Sequence, residues 1–149
     1  MAEYLATVEW RSEGGFREGR YSRAHNWTFD GGAVVPASSS PHVVPVPMSD
    51  SAGVDPEEAL LASVSACHML WFLHLASDAG LDVAAYRDEA LGTMGKDERG
   101  RMAMTRIVLR PRIEFAGEAP EADSLERLHH EAHERCFIAN SLRTEIVVE

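Results

Sequence analysis

Apolar and polar residues alternate along several stretches of this chain and follow a helical period along two others. Residues 3–11 mix β-branched and aromatic side chains (Tyr4, Leu5, Thr7, Val8, Trp10) and predict a first strand. After the turn at Gly14-Gly15, Tyr21, His25, Trp27 and Phe29 fall on alternate positions within residues 19–29. That period of two predicts a second strand, closed by Asp30-Gly31-Gly32, a hairpin signal. Residues 33–37 predict a short third strand. Residues 36–54 then hold five serines, four prolines and one glycine, and read as a long loop. Loops beyond about 12–15 residues inside a compact domain are usually functional or mobile.

The clearest helix opens at Asp55-Pro56-Glu57-Glu58. Asp55 is a good N-cap, Pro56 suits the first helical position, and the two acids face the positive end of the helix dipole. The helix is predicted to run to about Ala79 and stop at Gly80. It is apolar on most faces, through Leu60, Leu61, Val64, Leu70, Trp71, Phe72, Leu73 and Leu75, which predicts a central, buried helix. Residues 82–94 and 102–115 predict two long strands around the polar loop Lys96–Gly100. A second helix is expected from Pro120–Asp123 to near Cys136, and a last strand over residues 143–148. The order β-β-β-α-β-β-α-β predicts an α+β fold with two hairpins flanking a hydrophobic helix, in one domain over residues 1–149.

Composition and charge narrow the chemistry. The 24 acidic and 14 basic residues give a net charge of −10, the wrong sign for a nucleic-acid partner. No glycine-rich phosphate loop is present, which argues against nucleotide chemistry. The N-terminal MAEYLATVEW lacks the pattern of a signal peptide, and no uninterrupted apolar stretch reaches about 18 residues, so no membrane partner is expected. A cytoplasmic protein with reduced thiols is the expectation.

The two cysteines are then buried core residues, metal ligands or a redox pair. Cys67 lies mid-helix on a stripe with residues 60, 64, 71 and 75. Cys136 ends a second stripe with Leu125, Leu128 and Ala132. Were these two apolar faces packed together, the thiols, 69 positions apart, could meet. A positive neighbour would lower a thiol pKa and supply a thiolate nucleophile. His129, His133 and Cys136 also share one helical face, and with Cys67 could form a tetrahedral metal site.

Three segments resemble the OsmC/Ohr family of thiol-dependent hydroperoxide reductases. One is Asp55-Pro56-Glu57-Glu58-Ala59-Leu60 running into Ser65-Ala66-Cys67-His68, where Glu57 precedes the cysteine by ten residues, as the family's Pro-Glu pair does. Another is Ala132–Leu142, which resembles the family's second-cysteine segment. The third is the order of elements over nearly the whole chain. The resemblance implies an OsmC-like fold: an intertwined homodimer with two long central helices wrapped by antiparallel sheets from both subunits. It also implies a peroxiredoxin-like reduction of organic hydroperoxides. In that chemistry Cys67 attacks the peroxide and becomes a sulfenic acid, Cys136 resolves it as a disulfide, and a dithiol such as a lipoyl group restores the thiols. No cofactor and no metal are implied.

The same resemblance gives Glu57 and an arginine the task of orienting the thiolate. Arg17, Arg20 and Arg23 all follow Gly15, where one branch of the family supplies that arginine. The other branch places it before the Pro-Glu pair, and Val43–Ser51 here contains none. Arg23, on the Tyr21–His25 strand, is the favoured candidate. Ten residues of helix separate Glu57 from Cys67 by about 15 Å, so Glu57 can reach a thiol only on a second copy of the helix. The alternative is that Glu57 and Glu58 simply complement the dipole. His68 departs from the family, which commonly has an aromatic residue there, and is expected to tune Cys67 or to fill the adjacent helix face. The valine- and proline-rich stretch His42–Met48 reads as an apolar wall for a substrate or a stiff connection. Two competing readings stand beside the peroxidase. One is a binding protein of the same fold holding an apolar ligand, or a metal at Cys67, Cys136 and His133. The other is a structural dimer with core cysteines.

Overall fold

Asp55 caps the helix as expected, and Glu58 returns the bond. In the computed structural model, which describes residues 1–149, the Glu58 N–H donates to Asp55 Oδ1 at 2.8 Å and the Asp55 N–H donates to Glu58 Oε1 at 2.9 Å. Helix α1 runs from there over Pro56–Asp78. It stops at Gly80 (φ 78°), where Leu81 N–H donates to Ala76 O and Gly80 N–H to Ser77 O. That pair of bonds is the Schellman arrangement, and its left-handed position is the reason a glycine ends this helix.

The remaining elements are β1 (Ala6–Glu9), β2 (His25–Phe29), β3 (Val34–Ala37), β4 (Val83–Asp88), β5 (Leu91–Lys96), β6 (Met102–Leu109), β7 (Pro111–Phe115), α2 (Ala122–Arg135), α3 (Phe137–Asn140) and β8 (Glu145–Val148). The fold is α+β. The chain forms two compact units, Met1–Ala59 and Leu60–Glu149.

In the first unit β1-β2-β3 form an antiparallel sheet in which Trp27 lies opposite Val8 on one side and Val35 on the other. Its strands are shorter than the sequence predicts. The sheet has little core of its own. Ala37, Ser38, Ser40 and Ser49 are the only buried residues of this unit, every residue of β1 is exposed, and Tyr4, Leu5 and Val8 remain 94%, 69% and 65% exposed.

In the second unit α1 buries Val64, His68, Phe72, Leu75 and Ala76. This stripe is rotated from the predicted 60-64-67-71-75 and brings a histidine, not a cysteine, to the core face. Phe72, Leu75 and Ala76 pack with Ala132 of α2, and Leu125 and Leu128 join them as predicted for the α2 face. Val64 packs with Ile107 and Leu109 of β6.

Two further expectations are corrected. The two long strands are each broken, so that β4 pairs with β7 and β5 with β6, in separate sheets. The breaks lie at Glu89-Ala90 and at Arg110, before Pro111, where proline lacks a ladder N–H. Asp88 stabilises the second by accepting the Arg110 N–H through Oδ1 at 2.6 Å and the Ser65 hydroxyl through Oδ2 at 2.5 Å. The sheets are not wholly antiparallel, because β8 pairs with β6 in parallel. Helix α1 is long and apolar enough, by length and composition alone, to cross a membrane, and as expected its apolar run is interrupted. Its buried His68 and its Ser65–Asp88 bond are features of a core helix.

Candidate active site

The apolar faces of α1 and α2 do meet, and they bring the two thiols together. Both cysteines are free; Cys67 is partly exposed and Cys136 is 1% exposed. Cys136 sits where α2 ends and α3 begins, in extended backbone, and its sulfur accepts the Ala139 N–H at 3.4 Å. Burial pushes the Cys136 thiol up to about 11, and the neighbouring Cys67 adds to that. Cys67 is thus the more accessible sulfur and Cys136 the one that keeps its proton.

The first unit contains a cavity of about 480 Å³. Trp10, Phe16, Tyr21 and Val43 form its apolar wall, and Arg23, His25, Ser39 and Glu57 are among its polar lining. The three aromatic rings support one another, with centroids 4.9 to 5.7 Å apart. The Arg23 guanidinium lies flat over the Tyr21 ring, 3.5 Å from its centroid, and donates to Tyr21 O at 2.6 Å. Neither Arg23 nor Glu57 forms an ion pair, so both charges remain open to a ligand. Of the three candidate arginines, the structure places Arg23 in this wall, whereas Arg17 and Arg20 are exposed and outside it. Val43 of the valine- and proline-rich loop contributes to the apolar side.

Of this polar lining the sequence pointed to Arg23 and Glu57, but not to Ser39 or His25. The Ser39 hydroxyl is buried without a hydrogen-bond partner and belongs to the cavity wall. His25 is hydrogen-bonded through both ring nitrogens, to Arg23 O and to the Trp27 indole. The signal was present in the alternation Tyr21-Arg23-His25-Trp27, whose members share one half-buried face.

The histidines serve differently from the expectation. His68 is 1% exposed, and its Nε2 lies 3.0 Å from His129 Nδ1 with the rings stacked. Burial, then the nearby His129 and His133, hold the His68 pKa down at about 4 against the opposing pull of Asp88; burial also lowers His129. His129, His130 and His133 line a second cavity of about 520 Å³. A metal at Cys67, Cys136 and His133 is not supported: no three His, Cys, Asp or Glu side chains are placed to hold a metal ion. Cys136 lies beyond the last residue of α2, in extended backbone, so it leaves the helical face shared by His129 and His133.

A folded scaffold of this topology with two adjoining free thiols defines a dithiol protein. A family model described as OsmC-like protein matches residues 49–149, and the chain belongs to that family. Among solved structures, an OsmC-like protein of unknown function from Vibrio cholerae is 50% identical, with a TM-score of 0.98 over 100% of this chain and 99% of that one. An organic hydroperoxide resistance protein from Elizabethkingia anophelis is 19% identical, with a TM-score of 0.72 over 99% and 93% of the two chains. An organic hydroperoxide resistance protein OsmC from Legionella pneumophila is 17% identical, with a TM-score of 0.68 over 100% and 96%. No curated protein sequence matches the chain.

Proposed function

We propose that the protein is a thiol peroxidase that reduces organic hydroperoxides to alcohols. The observation that carries this reading is the pair of neighbouring free thiols, a partly exposed Cys67 beside a buried Cys136 whose burial keeps it protonated. Two of the structural relatives bear the name organic hydroperoxide resistance protein, which supports the same chemistry.

The Cys67 thiolate attacks the terminal peroxide oxygen. The O–O bond breaks, and the alkoxide leaves as the alcohol after taking a proton. Cys136 then attacks the Cys67 sulfenic acid, water leaves, and a disulfide forms. A dithiol reductant exchanges twice with that disulfide and becomes oxidised in turn. The aromatic cavity suits the organic group, and Arg23 and Glu57 would orient the reacting oxygens and the thiolate.

A second copy of the chain completes the site in this reading. Glu57 and Cys67 are about 15 Å apart along one helix axis, beyond the reach of a glutamate side chain. The bare β1 and the helix α1, of whose most apolar stretch only 28% is buried, give a partner surface to cover. A homodimer with Arg23 and Glu57 of one protomer serving Cys67 and Cys136 of the other meets both requirements.

Turnover of cumene hydroperoxide with dihydrolipoamide as reductant tests the reading. Cys67→Ser should abolish turnover with the fold retained. Cys136→Ser should consume one equivalent and stop at a sulfenic acid that dimedone labels. Unchanged turnover in Cys67→Ser would overturn the proposal.

A further inference from the structure

The cavity in the first unit holds a hydrogen-bond chain whose direction can be assigned. The Trp27 Nε1–H points at His25 Nε2 at 2.9 Å. An indole nitrogen only donates, so His25 Nε2 must be bare. The imidazole proton then sits on Nδ1, 2.7 Å from the Arg23 carbonyl, and donates to it. Both ring nitrogens are satisfied by the neutral Nδ1–H form alone; the other tautomer would set two N–H groups against each other at one end and two lone pairs at the other.

The backbone of Arg23 is therefore held on both sides. Its N–H donates to Met48 O at 2.8 Å, and its C=O accepts from His25. Its side chain is fixed by the Tyr21 carbonyl and the Tyr21 ring. An arginine with no carboxylate partner would otherwise sample many rotamers, because fixing its long side chain costs conformational freedom. We propose that His25, locked in the Nδ1–H tautomer by Trp27, is a positioning residue that fixes Arg23 in the cavity wall for its work on the hydroperoxide. This rests on the peroxidase reading above, and on one face of β2 and the segment before it: Tyr21, Arg23, His25 and Trp27.

The geometry sets the expected effects. His25→Leu removes the donor to Arg23 and should lower kcat/KM about tenfold or more, as expected for a displaced orienting group. His25→Asn places an amide N–H where Nδ1–H was and should restore most of that loss. Trp27→Phe keeps the ring volume class but frees the tautomer, and should show an intermediate loss. In an Arg23→Ala background, His25→Leu should cost nothing further, because a residue acting only through Arg23 is silent once Arg23 is gone.

The experiment is this double-mutant cycle on kcat/KM for cumene hydroperoxide, with 15N NMR of the His25 imidazole in the unmutated protein and in Trp27→Phe. Non-additive losses, rescue by Asn and a protonated Nδ1 with a bare Nε2 are the expected results. Equal losses from His25→Leu with and without Arg23 would overturn the positioning role. A proton on Nε2 would overturn the lock. If the unmutated protein turns over no peroxide, the peroxidase reading fails on that result alone, and with it the positioning role. The NMR result would still decide the lock, because it needs no activity.

Discussion

Lowering the pH should destabilise this protein through one buried ring. His68 is 1% exposed, with its Nδ1 buried and without a partner, and its pKa is held at about 4 against an ordinary 6.5. In the unfolded chain the ring takes up its proton as pH falls through about 6.5; in the folded chain it stays neutral down to about 4. Between these values the unfolded state binds more protons, so stability is lost as pH falls through that window. At about 1.4 kcal/mol for each pKa unit the full effect is about 3 kcal/mol, of which roughly 2.5 kcal/mol is gone by about pH 4.5. His129 is shifted in the same direction by its burial and adds to the loss. The assay is urea unfolding followed by circular dichroism at several pH values, on the unmutated protein and on His68→Met. The variant should have the flatter profile, the unmutated protein losing more stability than it does as pH falls. An NMR titration should show the His68 ring still neutral at pH 5. Parallel profiles, or a ring that titrates near 6.5, would refute the reasoning.

Other expectations follow from single contacts. Asp88→Ala removes the acceptor for both Ser65 and Arg110 and should cost about 2–3 kcal/mol, read as a shift in the urea midpoint at constant slope. Asp55→Ala breaks one half of the capping box and should cost about 1 kcal/mol by the same measurement. Phe72→Ala empties the fully buried centre of the α1–α2 core and should cost about 3–5 kcal/mol, enough to leave the folded state sparsely populated in a thermal melt.

Helix α1 was legible because its signals are local. A capping box, an N1 proline and a terminal glycine act within one turn, and each acts here as its residue type predicts. The α2 face of Leu125, Leu128 and Ala132 was legible from periodicity, and Cys136, just past the end of that helix, lies near Cys67. What was hidden depended on partners distant in sequence. The division of the long hairpin needs Asp88 to reach the Arg110 N–H, 22 residues away. The parallel pairing of β8 with β6 has no mark in either strand. The burial of His68 comes from His129, 61 residues on, which gives the ring a polar neighbour in the core. In the cavity, the alternation of Tyr21, Arg23, His25 and Trp27 was visible, but the direction of its hydrogen bonds required the coordinates.

The central claim concerns two sulfurs. The direct measurement is a thiol count and an intact mass of the purified protein before and after one equivalent of cumene hydroperoxide per chain. The account predicts the loss of both thiols and of about two mass units, with the Cys67 and Cys136 peptides joined after digestion, as disulfide formation within one chain requires. Two thiols still free after the treatment would contradict it.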